Sequence, residues 1–237
     1  MIRPKIFSKK LLSWSLDHPR NYPWTGEKDP YKIWISEIIL QQTRSDQGKS
    51  YFENFIKKFP NVKRLAKATE DEILSSWQGL GYYSRARNLH HAAKTIVEKF
   101  KGHFPRAMEN IKSLKGIGQY SAAAISSFAF DTPEAVVDGN VVRVLSRILG
   151  IDILFNSTEG KRKFFNIANI YLDKENPAAY NQAIMNFGAI HCKPKQPLCQ
   201  QCIFSNQCYA YLNNCIDIFP VKLKKIVLKK RYLAKII

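Results

Sequence analysis

Four of the five cysteines, Cys192, Cys199, Cys202 and Cys208, fall in one seventeen-residue stretch with the spacing Cys-x6-Cys-x2-Cys-x5-Cys. Four thiolates that close in sequence, on a loop broken by Pro194 and Pro197, can converge on one metal centre without an extended fold to hold them. The spacing itself admits an iron-sulfur cluster or a zinc ion. Zinc takes the same four sulfurs, but short zinc sites usually pair two Cys-x2-Cys knuckles, and only Cys199 and Cys202 form one. Clustering within an odd cysteine count suits a reducing compartment better than disulfides. Cys215 lies outside the spacing and reads as an ordinary thiol. Lys193 and Lys195 would let a loop pinned by metal present positive charge to phosphate, although the cluster could equally do no more than staple its lobe.

Two further groups could do chemistry. In Leu114-Lys115-Gly116-Ile117-Gly118-Gln119-Tyr120 a Gly-x-Gly turn separates two helical patterns. Gly116 and Gly118 let the backbone turn tightly and aim N–H groups at a phosphate oxygen, with the next helix N-terminus adding its dipole. Many such turns only join helices. About twenty residues on, Val136-Val137-Asp138-Gly139-Asn140-Val141 sets an aspartate in an apolar stretch before another helix. Asp138 is a natural N-cap there, and an aspartate can cap and react. Glu37 lies in a helical pattern otherwise apolar around it, with Ile33, Trp34, Ile38 and Leu40 as neighbours. Burial raises a carboxyl pKa and can keep the acid protonated near neutral pH, as a general acid requires.

The elements that must position these groups read as helices almost throughout, over 5–16, 31–42, 47–59, 62–68, 70–77, 83–100, 108–113, 121–128, 141–149, 159–172 and 176–190. Thr69 with Glu72 makes a capping box, and Ser157 and Thr158 precede the helix at Glu159. Breaks fall at Pro60, Gly79 and Gly81, Gly102 to Pro105, Gly116 and Gly118, and Pro133. Short links between many helices imply an all-α globule. The 237 residues carry 37 Lys and Arg against 19 Asp and Glu, a net charge of +18, which points first to a polyanionic partner such as nucleic acid. No stretch is apolar enough to span a bilayer, and the N-terminus lacks the apolar core and cleavage site of a secretory signal, so a cytoplasmic protein is expected.

In sum these residues resemble the MutY family of adenine DNA glycosylases, the adenine branch of the helix-hairpin-helix superfamily that includes endonuclease III. The resemblance runs in order from Tyr22-Pro23-Trp24 through the segments 34–43 and 79–89, the hairpin, the Asp138 stretch, Asn181-Gln182-Ala183 and the four cysteines, about 200 positions. It implies a 4Fe-4S cluster on Cys192, Cys199, Cys202 and Cys208. It also implies two helical lobes around a cleft: a six-helix barrel over 22–133, and a second lobe of 1–21 plus 134–215. The expected partner is double-stranded DNA with 8-oxoguanine:A or G:A mispairs, bound by a monomer that flips the adenine out of the stack. By resemblance, Glu37 protonates adenine N7 and Asp138 stabilises the positive sugar left behind, the two-carboxylate logic of glycoside cleavage. Tyr120 and Asn140 match supporting positions. Bifunctional relatives carry a lysine nucleophile at the Tyr120 position, and without that amine no Schiff base forms, so base removal without strand cleavage is expected. Gln42, Thr43, Leu80 and Tyr82 match residues that enter the duplex around the orphaned base, and Trp24 and Gln182 match the adenine pocket. Arg85 and Arg87 are left between phosphate binding and helix capping.

Three departures stand out. Lys115 replaces the usual hairpin proline, and Thr25 follows Trp24 where relatives often carry a longer basic or amide side chain. The segment 216–237 reads as a linker whose final Lys-Lys-Arg-Tyr-Leu-Ala-Lys-Ile-Ile resembles only the first strand of the Nudix-like domain found in full members, which implies weakened preference for 8-oxoguanine:A over G:A. The alternatives are an endonuclease III-like pyrimidine glycosylase and a non-catalytic iron-sulfur DNA-binding module. Tyr120 opposes the first, and the intact Glu37 and Asp138 oppose the second.

Overall fold

A computed structural model describes residues 2–222; the expected strand near the C-terminus lies outside them. Among the described residues the regular elements are all helical. Twelve α-helices run in chain order: α1 Pro4–Leu16, α2 Pro30–Leu40, α3 Ser45–Lys58, α4 Val62–Lys67, α5 Glu70–Ser76, α6 Ser84–Phe100, α7 Met108–Lys112, α8 Gln119–Phe130, α9 Gly139–Leu149, α10 Thr158–Tyr171, α11 Pro177–Asn186 and α12 Tyr209–Leu212. Local chemistry starts them where the sequence says. Pro30 opens α2 behind an Asp29 cap, the Thr69–Glu72 capping box opens α5, and Ser157 caps α10.

Two apolar cores form. One gathers Trp34, Ile35, Phe55, Phe59, Trp77 and Ile125 from α2 through α8, where α2 packs on α3 and α8, and α4 on α6. The other joins the chain's two ends: Phe7 and Leu11 of α1 meet Val144, Phe164, Tyr180, Phe187 and Phe204. Phe7 stacks on Phe204 at 4.7 Å and meets Tyr171 edge-on at 5.3 Å. Helix α8 faces both, since Ala122 and Ile125 belong to the first core while Ala123 and Ala124 pack with Val136 on the second side. No described helix is long and apolar enough to cross a membrane.

Most boundaries shift by one or two residues from the periodicity, and two of the differences have a visible tertiary setting. Helix α2 stops at Leu40 because Gln41 turns to ψ 112° and Gln42 takes the left-handed φ of 60°. Helix α11 ends at Asn186 and continues as a π turn over Phe187–His191. That turn brings Gly188 against α9 so closely that a Cβ there would sit 2.6 Å from the Asn140 Cβ, a distance only glycine tolerates.

Candidate active site and cysteine centre

A cleft of about 640 Å³ opens on α2, α8, the start of α9 and α11. Seven of the residues named from sequence line it: Glu37, Tyr120, Asp138, Asn140, Trp24, Thr43 and Gln182. Glu37 projects from the last turn of α2, whose other faces are spent on the core. The residue is half-buried at the wall of the cleft, and burial of its carboxyl pushes its pKa from 4.5 up to about 7; the Asp138 charge adds to the rise, and the Tyr120 hydroxyl opposes it. The Tyr120 hydroxyl is itself pushed well above its ordinary range, chiefly by burial and then by the two neighbouring carboxylates.

Asp138 is the N-cap of α9, with Oδ1 accepting from the Val141 N–H at 2.8 Å and Oδ2 from Asn140 Nδ2 at 2.7 Å. Burial raises its pKa, while the Val141 N–H, Asn140 and the Arg143 charge all pull the other way. The cap and the cleft position therefore coexist in one side chain. Trp24 stacks on Tyr22 at 5.1 Å, nearly parallel, and its edge meets Phe52. Gln182 Nε2 donates to Asn186 Oδ1 at 3.0 Å, which commits one end of that amide.

The other named residues lie elsewhere. Gly116 and Gly118 form the exposed turn before α8, and Gly116 has φ 84° with Asn88 packed under it, so a Cβ would meet the Asn88 Cβ at 2.7 Å. Gln42 and Tyr82 stand exposed on two loops, both at left-handed φ, 60° and 46°. Leu80 is packed into the core of its lobe. Arg87 pairs with Glu70 at 2.8 Å on the surface.

Cys192, Cys199, Cys202 and Cys208 line one small cavity of the other lobe, with Arg147, Ile148, Phe187 and Leu198 around them. Cys215 is not among its lining residues. Burial raises the thiol pKa values of Cys199, Cys202 and Cys208, that of Cys202 to about 12, and the neighbouring sulfurs add to the rise. Among the described residues, no three His, Cys, Asp or Glu side chains converge on a point that a single ion would fill.

Sequence reasoning missed two buried arginines of α9, Arg143 and Arg147, 8% and 3% exposed. Each satisfies its charge with acceptors rather than with a carboxylate. Arg143 donates to Asn140 Oδ1 at 2.8 Å, Gly188 O at 2.7 Å and Cys192 O at 2.8 Å. Arg147 donates to Lys193 O at 2.7 Å and Pro194 O at 3.2 Å, and lies 3.6 Å from Cys192 Sγ. The α9 helix thus ties the Asp138–Asn140 corner to the cysteine loop. The available signal was two arginines four residues apart in an otherwise apolar helix.

Comparison with known proteins follows this geometry. The family model described as HhH-GPD superfamily base excision DNA repair protein matches residues 35–164. An adenine DNA glycosylase of Buchnera aphidicola subsp. Schizaphis graminum is 38% identical over 228 residues, covering 95% of this chain and 66% of the relative. The Mus musculus adenine DNA glycosylase is 39% identical over 214 residues, 86% of this chain and 42% of the relative. The chain thus spans about two thirds or less of the length of these relatives. A thermostable thymine-DNA glycosylase superposes with a TM-score of 0.82 at 29% identity, over 89% of this chain and 97% of the other. An endonuclease III trapped as a covalent DNA intermediate, in an estranged-adenine complex, shares the fold, with a TM-score of 0.77 at 19% identity, over 90% and 99%.

Proposed function

From the premise that the chain belongs to the HhH-GPD superfamily of base excision DNA repair proteins, we propose that it is a monofunctional adenine DNA glycosylase. Its reaction is hydrolysis of the N-glycosidic bond of adenine mispaired with 8-oxoguanine or guanine in double-stranded DNA. The observation that carries this reading is the pair of unlike carboxyls in one cleft: Glu37, raised to about 7 by burial, and Asp138, held by N–H donors.

Glu37 gives its proton to N7 of the flipped adenine, and the glycosidic electron pair leaves with the neutral base. The sugar is left cationic, and the Asp138 carboxylate stabilises it until water adds at the anomeric carbon and loses its proton. Tyr120 offers no amine, so the sugar forms no Schiff base and the strand stays intact. Trp24 and Gln182 line the same cleft as the adenine pocket. Gln42, Thr43, Leu80 and Tyr82 are the residues around the orphaned base; the exposed Tyr82 ring can replace stacking, and the Gln42 amide offers both donor and acceptor. The Gly116–Gly118 turn before α8 supplies backbone N–H groups for a phosphate.

The cysteine cavity supports a 4Fe-4S cluster, because Cys192, Cys199, Cys202 and Cys208 all line it and four thiolates are the ligand set such a cluster takes. Bound there, the cluster would cross-link the loop and fix Lys193 and Lys195 toward phosphate. The proposed enzyme works as a cytoplasmic monomer on DNA. Incubation of the cluster-loaded protein with duplexes containing 8-oxoguanine:A, G:A or thymine glycol, followed by alkali, tests the reading. Alkali-dependent breaks at the mispaired adenine support it. No adenine release, or breaks at thymine glycol instead, refute it.

A further inference from the structure

Arg85 is half-buried at the start of α6, and its guanidinium faces two loops rather than solvent. Nη1 donates to the carbonyls of Ile38, Ile39 and Gln41. These are carbonyls at the C-terminal end of α2, where a helix lacks intrahelical donors and carries partial negative charge. Nη2 donates to Leu80 O at 3.2 Å and Gly81 O at 3.4 Å on the second loop. The same guanidinium lies 5.7 Å from the Tyr82 ring centroid and 5.5 Å from that of Trp77. Immediately beyond the two sets of carbonyls stand Gln42 and Tyr82, both exposed and both in the left-handed backbone region. Such conformations cost free energy for residues other than glycine and persist when surrounding contacts impose them. Arg85 makes those contacts for both loops at once.

We propose that Arg85 is a positioning residue for mispair recognition, a single planar clamp that sets the spacing between the Gln42 loop and the Tyr82 loop and fixes both to the helix bearing Glu37. The proposal rests on the glycosylase reading of the cleft. It differs from a phosphate-binding role, in which a point charge would suffice. A lysine keeps the charge, but a single ammonium cannot reproduce the planar fork that reaches both loops.

The test is Arg85→Lys in the cluster-loaded protein, with Arg87→Lys on the exposed neighbour as control. Affinity is measured for a G:A duplex and the same duplex fully paired, in an Asp138→Asn background that slows turnover; single-turnover excision is measured separately in the native background. Arg85→Lys is expected to lower the ratio of mispaired to paired affinity at least tenfold, while paired-duplex affinity changes less than threefold and Arg87→Lys changes neither. A second variant, Gly81→Ala, perturbs the same loop at φ 68°, where its Cβ meets nothing, and is expected to reduce the same ratio without touching the guanidinium. It keeps the test open if Arg85→Lys fails to fold. In a double-mutant cycle with Tyr82→Ala, the Arg85→Lys effect on the ratio should be less than additive. An unchanged ratio in folded Arg85→Lys, or equal losses on both duplexes, overturns the clamp. If the parent excises adenine while Arg85→Lys and Gly81→Ala both keep the ratio, only the clamp fails. A parent with no adenine excision overturns the glycosylase reading and the clamp with it.

Discussion

Replacing Glu37 with glutamine tests whether one buried acid serves the reaction and weakens the fold. In the folded protein its carboxyl titrates at about 7 instead of 4.5, because burial disfavours the charged form. The folded value lies above the unfolded one, so the stability contribution is fully present below pH 4.5 and is lost as pH rises through 7. At 1.36 kcal/mol per tenfold change in proton affinity, the difference amounts to about 3 kcal/mol above pH 8. About 2.5 kcal/mol of this falls between pH 5 and pH 8.5, and for a chain of this size 1 kcal/mol moves Tm by roughly 2–4 °C, so the parent should lose about 5–10 °C from this group over that interval. Glu37→Gln cannot ionise and should escape that loss. Melting curves of the two proteins at both pH values give the check: the variant's Tm advantage should be about 5–10 °C larger at pH 8.5 than at pH 5. In single-turnover assays at pH 6 the same variant should excise adenine about 10²–10⁴ times more slowly, the usual range for a lost general acid. A Tm difference that does not move with pH would refute the buried-acid assignment.

Asp138→Asn keeps an acceptor for the Val141 N–H, so folding stability should hold within about 1 kcal/mol while excision falls by at least about 10²-fold and duplex affinity persists; affinity lost in parallel would assign Asp138 to folding alone. Tyr120→Phe removes the hydroxyl that lowers the Glu37 pKa, so the alkaline limb of the single-turnover pH profile should move above 7, and a limb moving to lower pH would contradict that assignment. Cys202→Ser should lose the visible absorbance and bound iron of the purified protein and lower Tm, whereas Cys215→Ser should retain both, because Cys215 lies outside the cavity. Zinc instead of iron in the purified parent, measured by elemental analysis, would overturn the cluster assignment.

Much of this architecture was legible because its signals are local. Thr69 and Glu72 announce α5, Asp138 announces α9, and the apolar periods of α2, α8 and α9 place these helices to within two residues. The exceptions are tertiary. Nothing in the residues 41–43 says that α2 must stop at Leu40; the stop depends on Arg85, which is distant in sequence and binds the α2 carbonyls. The π turn after Asn186 exists because Gly188 must sit against Asn140, a contact between segments nearly fifty residues apart. Leu80 matches a position that enters the duplex, and only packing shows it in the core of its lobe. The burial of Arg143 was hidden for a related reason. Its acceptors are mainly backbone carbonyls, which carry no sequence identity.

The chemistry asks for two carboxyls in one cleft that differ in protonation, although burial raises both. Their hydrogen-bond partners decide which one keeps the proton. Asp138 has the Val141 N–H and the Asn140 amide at 2.7–2.8 Å, with Arg143 held nearby through Asn140 Oδ1, and every one of these favours the anion. Glu37 has no hydrogen bond of that length among the described residues, and the Tyr120 hydroxyl that lowers its pKa is buried beside both carboxyls. When the first proton leaves the pair, it therefore leaves Asp138, and the resulting charge holds the remaining proton on Glu37. On the proposed mechanism, the acid for the base and the anion for the sugar follow from that single asymmetry in donors. Arg143 helps maintain it, because one guanidinium orients Asn140 toward Asp138 while its other donors are fixed by Gly188 and Cys192.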